Sequence, residues 1–371
     1  MLLLWIVATV AATVQQGVWH QNNNFLIFRA ASLHLLHGQD LYAAYPALHS
    51  DAYKYSPTFA LLFLPFAALP FSMAMLAWNA LNAASLYGAL GLVLNRRGAL
   101  IARSVVFLDL LGSLQNVQSN ALVAACIILT FAGYERRHSF MGSFAAAAGT
   151  MIKLFPLAGA SFAIFHARKG RVAIGLAVSL LILLLLPLVV TPLHTLVAQY
   201  ASWRAIEEVD AAERGFTVMQ MLQLLLHRDW PNWPLQLAGV LLLVSPLFAR
   251  RTRWTHWGFR RLYLCSVLVF CVIFNHQSES PTFVIAVSGA AIWFASLSAP
   301  DRWVWTLFVF IVVCTILASS DAMPRVIQHA LFDRYHFKAV PMIVLWVVLQ
   351  QQLWKPDDRP AALTAPQSSP A

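Results

Sequence analysis

Long apolar runs follow one another along this chain with little between them, and they limit its possible folds more than any motif does. Residues 172–190 carry no charged side chain and are mostly Leu, Val, Ala and Ile. In hydrocarbon every backbone N–H and C=O must be satisfied within its own segment, so runs of this kind become helices. The chain is 60% hydrophobic and 11% charged, with a mean hydropathy of +0.67, more apolar surface than a water-soluble core could absorb. The runs are continuous and do not alternate, which argues against a β-barrel. The expected fold is all-α, a polytopic integral membrane protein.

Taken in order, residues 2–17 form a first span; without a basic leader or a small-residue cleavage site it reads as retained. A polar interval follows at 22–57, rich in His, Tyr, Asp and basic residues. The apolar stretch after it is broken by Pro65 and Pro70, so 57–70 is expected to insert partially and 72–94 to cross. Four short segments, 99–112, 119–134, 139–153 and 155–167, suggest broken helices packed around a cavity. The span at 172–190 leads to a second polar interval, 193–232. Further spans are expected at 233–249, 258–275, 281–297, 302–319 and 338–354. This makes about twelve spans in one domain, 1–355, and a disordered cytoplasmic tail, 356–371.

The formal charge of +10 comes from basic residues concentrated in short loops, where they report orientation; nucleic acid is not an expected partner. A cytoplasmic N-terminus puts 16 of the 25 basic residues inside and both large polar intervals outside, with the C-terminus also cytoplasmic. Cys126, Cys265, Cys271 and Cys314 all fall in apolar segments and read as buried thiols. No P-loop, GxGxxG, HExxH or CxxC occurs, so ATP-driven transport, dinucleotide chemistry and zinc proteolysis lack their parts. His20, His34 and His37 have no metal-selective spacing, and no metal site is expected.

Chemistry must then lie at the outer membrane surface or within the bundle. Asp51, in HSDAYKYSP, stands just before the chain returns to the membrane; partial desolvation there would suit a general base. Lys54 and Tyr55 follow it and could hold a phosphate or a sugar hydroxyl. His276 and Glu279, in FNHQSESPT between two spans, are three residues apart and would share a face of a helical turn. Lys153 interrupts AAAAGTMIKLFPLAG at a break between short spans, where an ammonium would suit a lipid phosphate or pyrophosphate. Gln118 and Asn120 could hydrogen-bond the same ligand. Each of these also has an ordinary structural reading, as a turn acid, a hairpin polar group or a snorkelling lysine.

Three stretches together resemble the polytopic GT-C glycosyltransferases, and most closely glycosyltransferase family 87, the polyprenyl-phosphate-mannose-dependent mannosyltransferase-like proteins. They are Phe25 through Gly38 and Tyr42 to YKYSPTFALLFLPFAALP; Gln118-Ser119-Asn120 with AAAAGTMIKLFP; and the hairpin around His276. The resemblance implies transfer of a hexose, mannose by the family's name, in a bacterial inner membrane. The donor would be a polyprenyl-phosphate-linked sugar and the acceptor a lipid or glycan on the extracytoplasmic face. No nucleotide cofactor is implied, and whether a divalent metal takes part stays open. Asn24 stands where the family places a catalytic Asp, with Arg29 one turn further on, and Val117 replaces the glycine before the glutamine. The implied catalytic set is therefore Asp51, Glu279 and His276. Lys153, Lys54, Tyr55, Gln118, Asn120, Asn24 and Arg29 would contact substrate. A transporter or flippase of a lipid-linked substrate, or a non-catalytic partner in envelope assembly, would use many of the same features.

Overall fold

The structure, a computed structural model, describes residues 1–19, 22–317 and 336–356, together with 323, 324, 326 and 332. His20 and residues 357–371 of the expected tail lie outside the described residues. Among the described residues every regular element is helical.

The chain opens with α1 (Leu2–Trp19). The first polar interval is not simply a loop, because its first half forms α2 (Asn23–Leu36), whose buried Phe25, Ile27 and Phe28 anchor it in the core. α3 (Pro57–Ala67) is short, as Pro65 and Pro70 imply, and α4 (Phe71–Val93) is long. α5 (Arg96–Gln115) extends past both ends of the expected segment, and at its start the Asn95 side chain caps it by accepting from the Gly98 N–H at 2.8 Å. α6 (Asn120–Glu135) and α7 (Ser139–Ile152) form a tight antiparallel hairpin. Its crossing leaves no room for a side chain, since a Cβ on Gly133 would stand 2.7 Å from the Cα of Gly142. This hairpin returns the end of α7 to the level of the start of α6.

After α7 the chain breaks at Lys153 and continues as 3₁₀ turns over Phe155–Phe165, then α8 (Lys169–Leu185). The second polar interval folds into α9 (Leu193–Asp210) and α10 (Val218–Leu226). α11 (Asn232–Ala249), α12 (Trp257–Ile273), α13 (Phe283–Ala295), α14 (Arg302–Ile311) and α15 (Val340–Trp354) complete the bundle.

α5, α12 and α13 pack together at the centre with α4 and α6, and nearly every side chain of α12 and α13 is buried. α8 and α11 are the reverse: Ile174, Leu181 and Leu241 are well exposed, as expected of helices that face lipid. Among the described residues three segments are by themselves long and apolar enough to cross a membrane: Arg96–Gln115, Lys169–Val189 and Asn232–Ala249. Pro57–Ala67, Asn120–Glu135, Ser139–Ile152 and Arg302–Leu317 are shorter apolar helices. The protein is a helical membrane protein.

The two ends of the bundle differ in charge. Arg96 and Arg97 begin α5, Lys169 and Arg171 begin α8, and Arg260 and Arg261 begin α12; Arg136 follows α6 and Arg250 follows α11. The opposite ends of these same helices converge on the two polar intervals.

Candidate active site

At that second end a cavity of about 580 Å³ opens among seven separate stretches of chain. Eight of the ten residues singled out above line it: Asn24, Asp51, Lys54, Tyr55, Gln118, Lys153, His276 and Glu279. Asn120 lies directly behind the wall, fully buried at the first position of α6. Arg29 does not reach the cavity, and its guanidinium lies 5.8 Å from the centre of the Phe71 ring. On α2, Asn24 and Ile27 face the cavity, and helical phase places Arg29 roughly 140° from Asn24.

Four of these side chains form one continuous hydrogen-bonded row. The Lys153 ammonium donates to Asn120 Oδ1 at 2.8 Å. Asn120 Nδ2 donates to Gln118 Oε1, and Gln118 Nε2 donates to Glu279 Oε2 at 2.9 Å. An ammonium can only donate and an ionised carboxylate can only accept, so the two ends dictate how both amides are turned. The row thus runs with a single polarity, from the cation to the carboxylate.

Local structure explains why these residues meet. Val117, between α5 and α6, has a φ of +50°, the left-handed conformation that glycine takes most easily. That turn aims Gln118 inward, and the indole N–H of Trp78 on α4 secures it by donating to the Val117 carbonyl at 3.3 Å. The Ser56 hydroxyl caps α3 by accepting from the Phe59 N–H and donates to the Met151 carbonyl at the end of α7. Tyr55 is thereby held against Lys153, with the ammonium 6.0 Å from its ring centre. Asn24 Nδ2 donates to the Asn116 carbonyl at 2.8 Å and joins the start of α2 to the same turn.

The opposite wall comes from the second polar interval. Its chain pairs with the hairpin that carries Glu279: the Gly215 N–H donates to the His276 carbonyl and the Phe216 N–H to the Ser278 carbonyl, both at 2.8 Å. Trp203, Glu207, Glu213 and Arg214 line this side. Lys54 forms salt bridges with Asp210 at 3.1 Å and Glu213 at 3.7 Å. Burial pulls its ammonium down, but the hydrogen bond and charge of Asp210 outweigh this and hold it above the ordinary lysine value. Arg214 is occupied by Asp229 at 2.6 Å, by Asn232 and Gln223, and by the Trp230 carbonyl. Of the three cavity cations, Lys153 alone has no carboxylate salt bridge among the described residues.

Among the acids, Asp51 is exposed at the rim, and its side chain accepts from the Ala52 N–H. The desolvation anticipated for it is absent because the 45–52 loop rides outside the helices. Glu207 is half-buried on α9, and burial, then the neighbouring charge of Asp210, raises its carboxyl above the usual range. His276 is pulled below the ordinary histidine value, chiefly by burial; its Nδ1 lies 3.3 Å from Gln236 Nε2, and its Nε2 is buried without a partner among the described residues. Among the described residues no group of three or more His, Cys, Asp or Glu side chains is placed to hold a metal ion.

Glu207, Trp203 and Gln236 are cavity residues that sequence reasoning did not rank. Trp203 and Glu207 stand four apart on α9 and share a helical face, a signal visible in the sequence once that stretch is read as a helix.

The sequence profile of glycosyltransferase family 87 matches residues 53–275, more than half of the chain. The chain belongs to glycosyltransferase family 87. No curated protein sequence matches it. The family match makes this membrane protein a glycosyltransferase, a class that acts on a sugar donor and an acceptor. Within the matched stretch lie Lys54, Tyr55, Gln118, Asn120, Lys153 and Glu207; Asn24 and Asp51 precede it, and His276 and Glu279 follow it.

Proposed function

We propose that this family 87 glycosyltransferase moves a hexose, mannose by family resemblance, from a polyprenyl-phosphate-linked donor to a hydroxyl of a lipid or glycan acceptor. Lys153 holds the donor phosphate and Glu279 is the general base. The row from Lys153 through Asn120 and Gln118 to Glu279 carries this reading. It fixes a cation with no carboxylate partner among the described residues and an ionisable acid at two points of one cavity wall. The Glu279 carboxylate takes the proton from the acceptor hydroxyl as its oxygen bonds to the anomeric carbon. The bond from that carbon to the donor phosphate breaks, and its electron pair leaves with the phosphate oxygen, where the growing negative charge meets the Lys153 ammonium. The neutral His276 offers its unpartnered Nε2 to a sugar hydroxyl, and Trp203 offers an aromatic face. The cavity lies opposite the basic end of the bundle, which supports an extracytoplasmic site under the positive-inside rule.

The test is transfer from radiolabelled polyprenyl-phosphate mannose in proteoliposomes holding the purified chain. Wild type transfers label to an added lipid or glycan acceptor. Lys153→Met lowers kcat by about 10²–10³-fold, the range typical for losing one positioned donor to a developing anion. A folded wild-type protein that moves labelled lipid across the bilayer without transferring its sugar would replace this reading with a flippase.

A further inference from the structure

A second cavity, of about 470 Å³, lies at the basic end of the bundle between the starts of α7 and α8. It has no connection with the site above: α7 begins here and ends beside Lys153, 14 residues and about 21 Å away. Its polar end is formed by Arg137, His138 and Arg171, and among the described residues no acidic side chain lines it. Neither guanidinium has a hydrogen bond or ion pair with protein among the described residues. Neighbouring arginines at this end differ: Arg260 is paired with Glu135 at 2.7 Å, and Arg103 donates to the Tyr87 carbonyl at 2.8 Å.

The rest of the cavity is apolar and faces outward. Phe140 is 57% exposed and Ile174 67%, with Val178 one turn further along α8. Their order follows the two helices: the cations stand at the start of each, and the apolar side chains follow them along α7 and α8. Gly175 closes the inner wall, because a Cβ there would stand 3.1 Å from Ser143 Oγ, so the two helices touch behind the groove.

We propose that this groove is a binding site for an anionic phospholipid of the leaflet opposite the active site. The phosphate sits between Arg137 and Arg171, and one acyl chain lies along Phe140, Ile174 and Val178. The charge complementarity is specific to an anionic headgroup, since two unpaired guanidiniums with no local acid would not distinguish a zwitterionic lipid in the same way. The apolar length below them requires the tail as well as the phosphate.

The experiment is lipid binding to the purified, delipidated full chain, followed by native mass spectrometry. The probes are phosphatidylglycerol, phosphatidylcholine with the same acyl chains, and glycerol phosphate. Wild type is expected to hold phosphatidylglycerol in preference to phosphatidylcholine and to show no binding of glycerol phosphate. Each guanidinium removed costs about fivefold in that preference and both together about thirtyfold, so Arg137→Gln with Arg171→Gln nearly abolishes it. Ile174→Asn, which adds no charge, weakens binding of both lipids. Melting curves establish that each variant is folded. Undiminished preference in the folded double variant would overturn the proposal. Tight binding of glycerol phosphate alone would also overturn it, by making this a site for a free anion.

Discussion

Replacing Glu279 with glutamine separates its chemical role from its structural one. Among the described residues the carboxylate accepts one hydrogen bond from another side chain, Gln118 Nε2 at 2.9 Å, and it also accepts from the Thr282 N–H in a capping box. An amide of the same shape presents a carbonyl oxygen in the same place, and Lys153 still orients Asn120 and Gln118 from the other end of the row. The structural change is therefore a charge-assisted hydrogen bond exchanged for a neutral one, a difference of about 1 kcal/mol at most, and partly offset by easier desolvation. The melting temperature should move by only about 1 °C. Loss of a general base, in contrast, lowers kcat by about 10²–10⁴-fold, or roughly 3–5.5 kcal/mol on the barrier. Glu279→Asp keeps the charge but draws it back by one carbon–carbon bond, about 1.5 Å, and should retain an intermediate rate. The assay is the initial rate of sugar transfer across a range of donor concentrations, with melting curves on the same preparations. A kcat within tenfold of wild type for folded Glu279→Gln refutes the assignment. An equal loss in Asp51→Asn also does, because the exposed rim acid would then carry the chemistry.

Three further outcomes follow from the same geometry. Lys338 donates to the Ser280 carbonyl at 3.0 Å and lies 3.4 Å from the buried Asp109, so Lys338→Met strands that carboxylate and should cost about 3–5 kcal/mol. The double variant Asp109→Leu with Lys338→Met should recover most of the loss in thermal unfolding. Gly215→Ala would place a Cβ 2.1 Å from the Ser278 carbonyl oxygen, lifting the second loop off the hairpin. It should lose two backbone hydrogen bonds, about 0.5–1.5 kcal/mol each, read as faster limited proteolysis near residue 215 and a raised KM. His276, whose protonation burial disfavours, contributes stability that is complete above its ordinary value of 6.5 and falls as pH drops below it. Melting between pH 7.5 and 5.5 should fall less steeply in His276→Gln, by at most about 1.4 kcal/mol per pH unit.

Much of the framework was legible in the sequence because hydrocarbon leaves so few choices. The long Leu-rich run became α8, Pro70 stands between α3 and α4 with Pro65 in the last turn of α3, and the break at Lys153 divided α7 from the 3₁₀ turns. The extent of α5 was not legible, because its charged first turn reads as a loop and only the Asn95 cap makes it helical. Arg29 was misplaced for a related reason. Proximity to Asn24 in sequence says nothing of helical phase until the limits of α2 are known.

Composition and spacing by themselves determined that this chain is a helical membrane protein and that its chemistry belongs to a few polar intervals, because apolar runs must satisfy their own backbones and ionisable groups beside lipid are costly. Together with the family resemblance they pointed to eight of the residues that line the cavity. Tertiary structure alone decided which of those residues touch. Gln118 and Glu279 are 161 positions apart, and Lys54 and Asp210 are 156 apart. Only packing could pair Lys54 with an acid and leave Lys153 without one, because each side chain's charge balance depends on neighbours brought in by other helices.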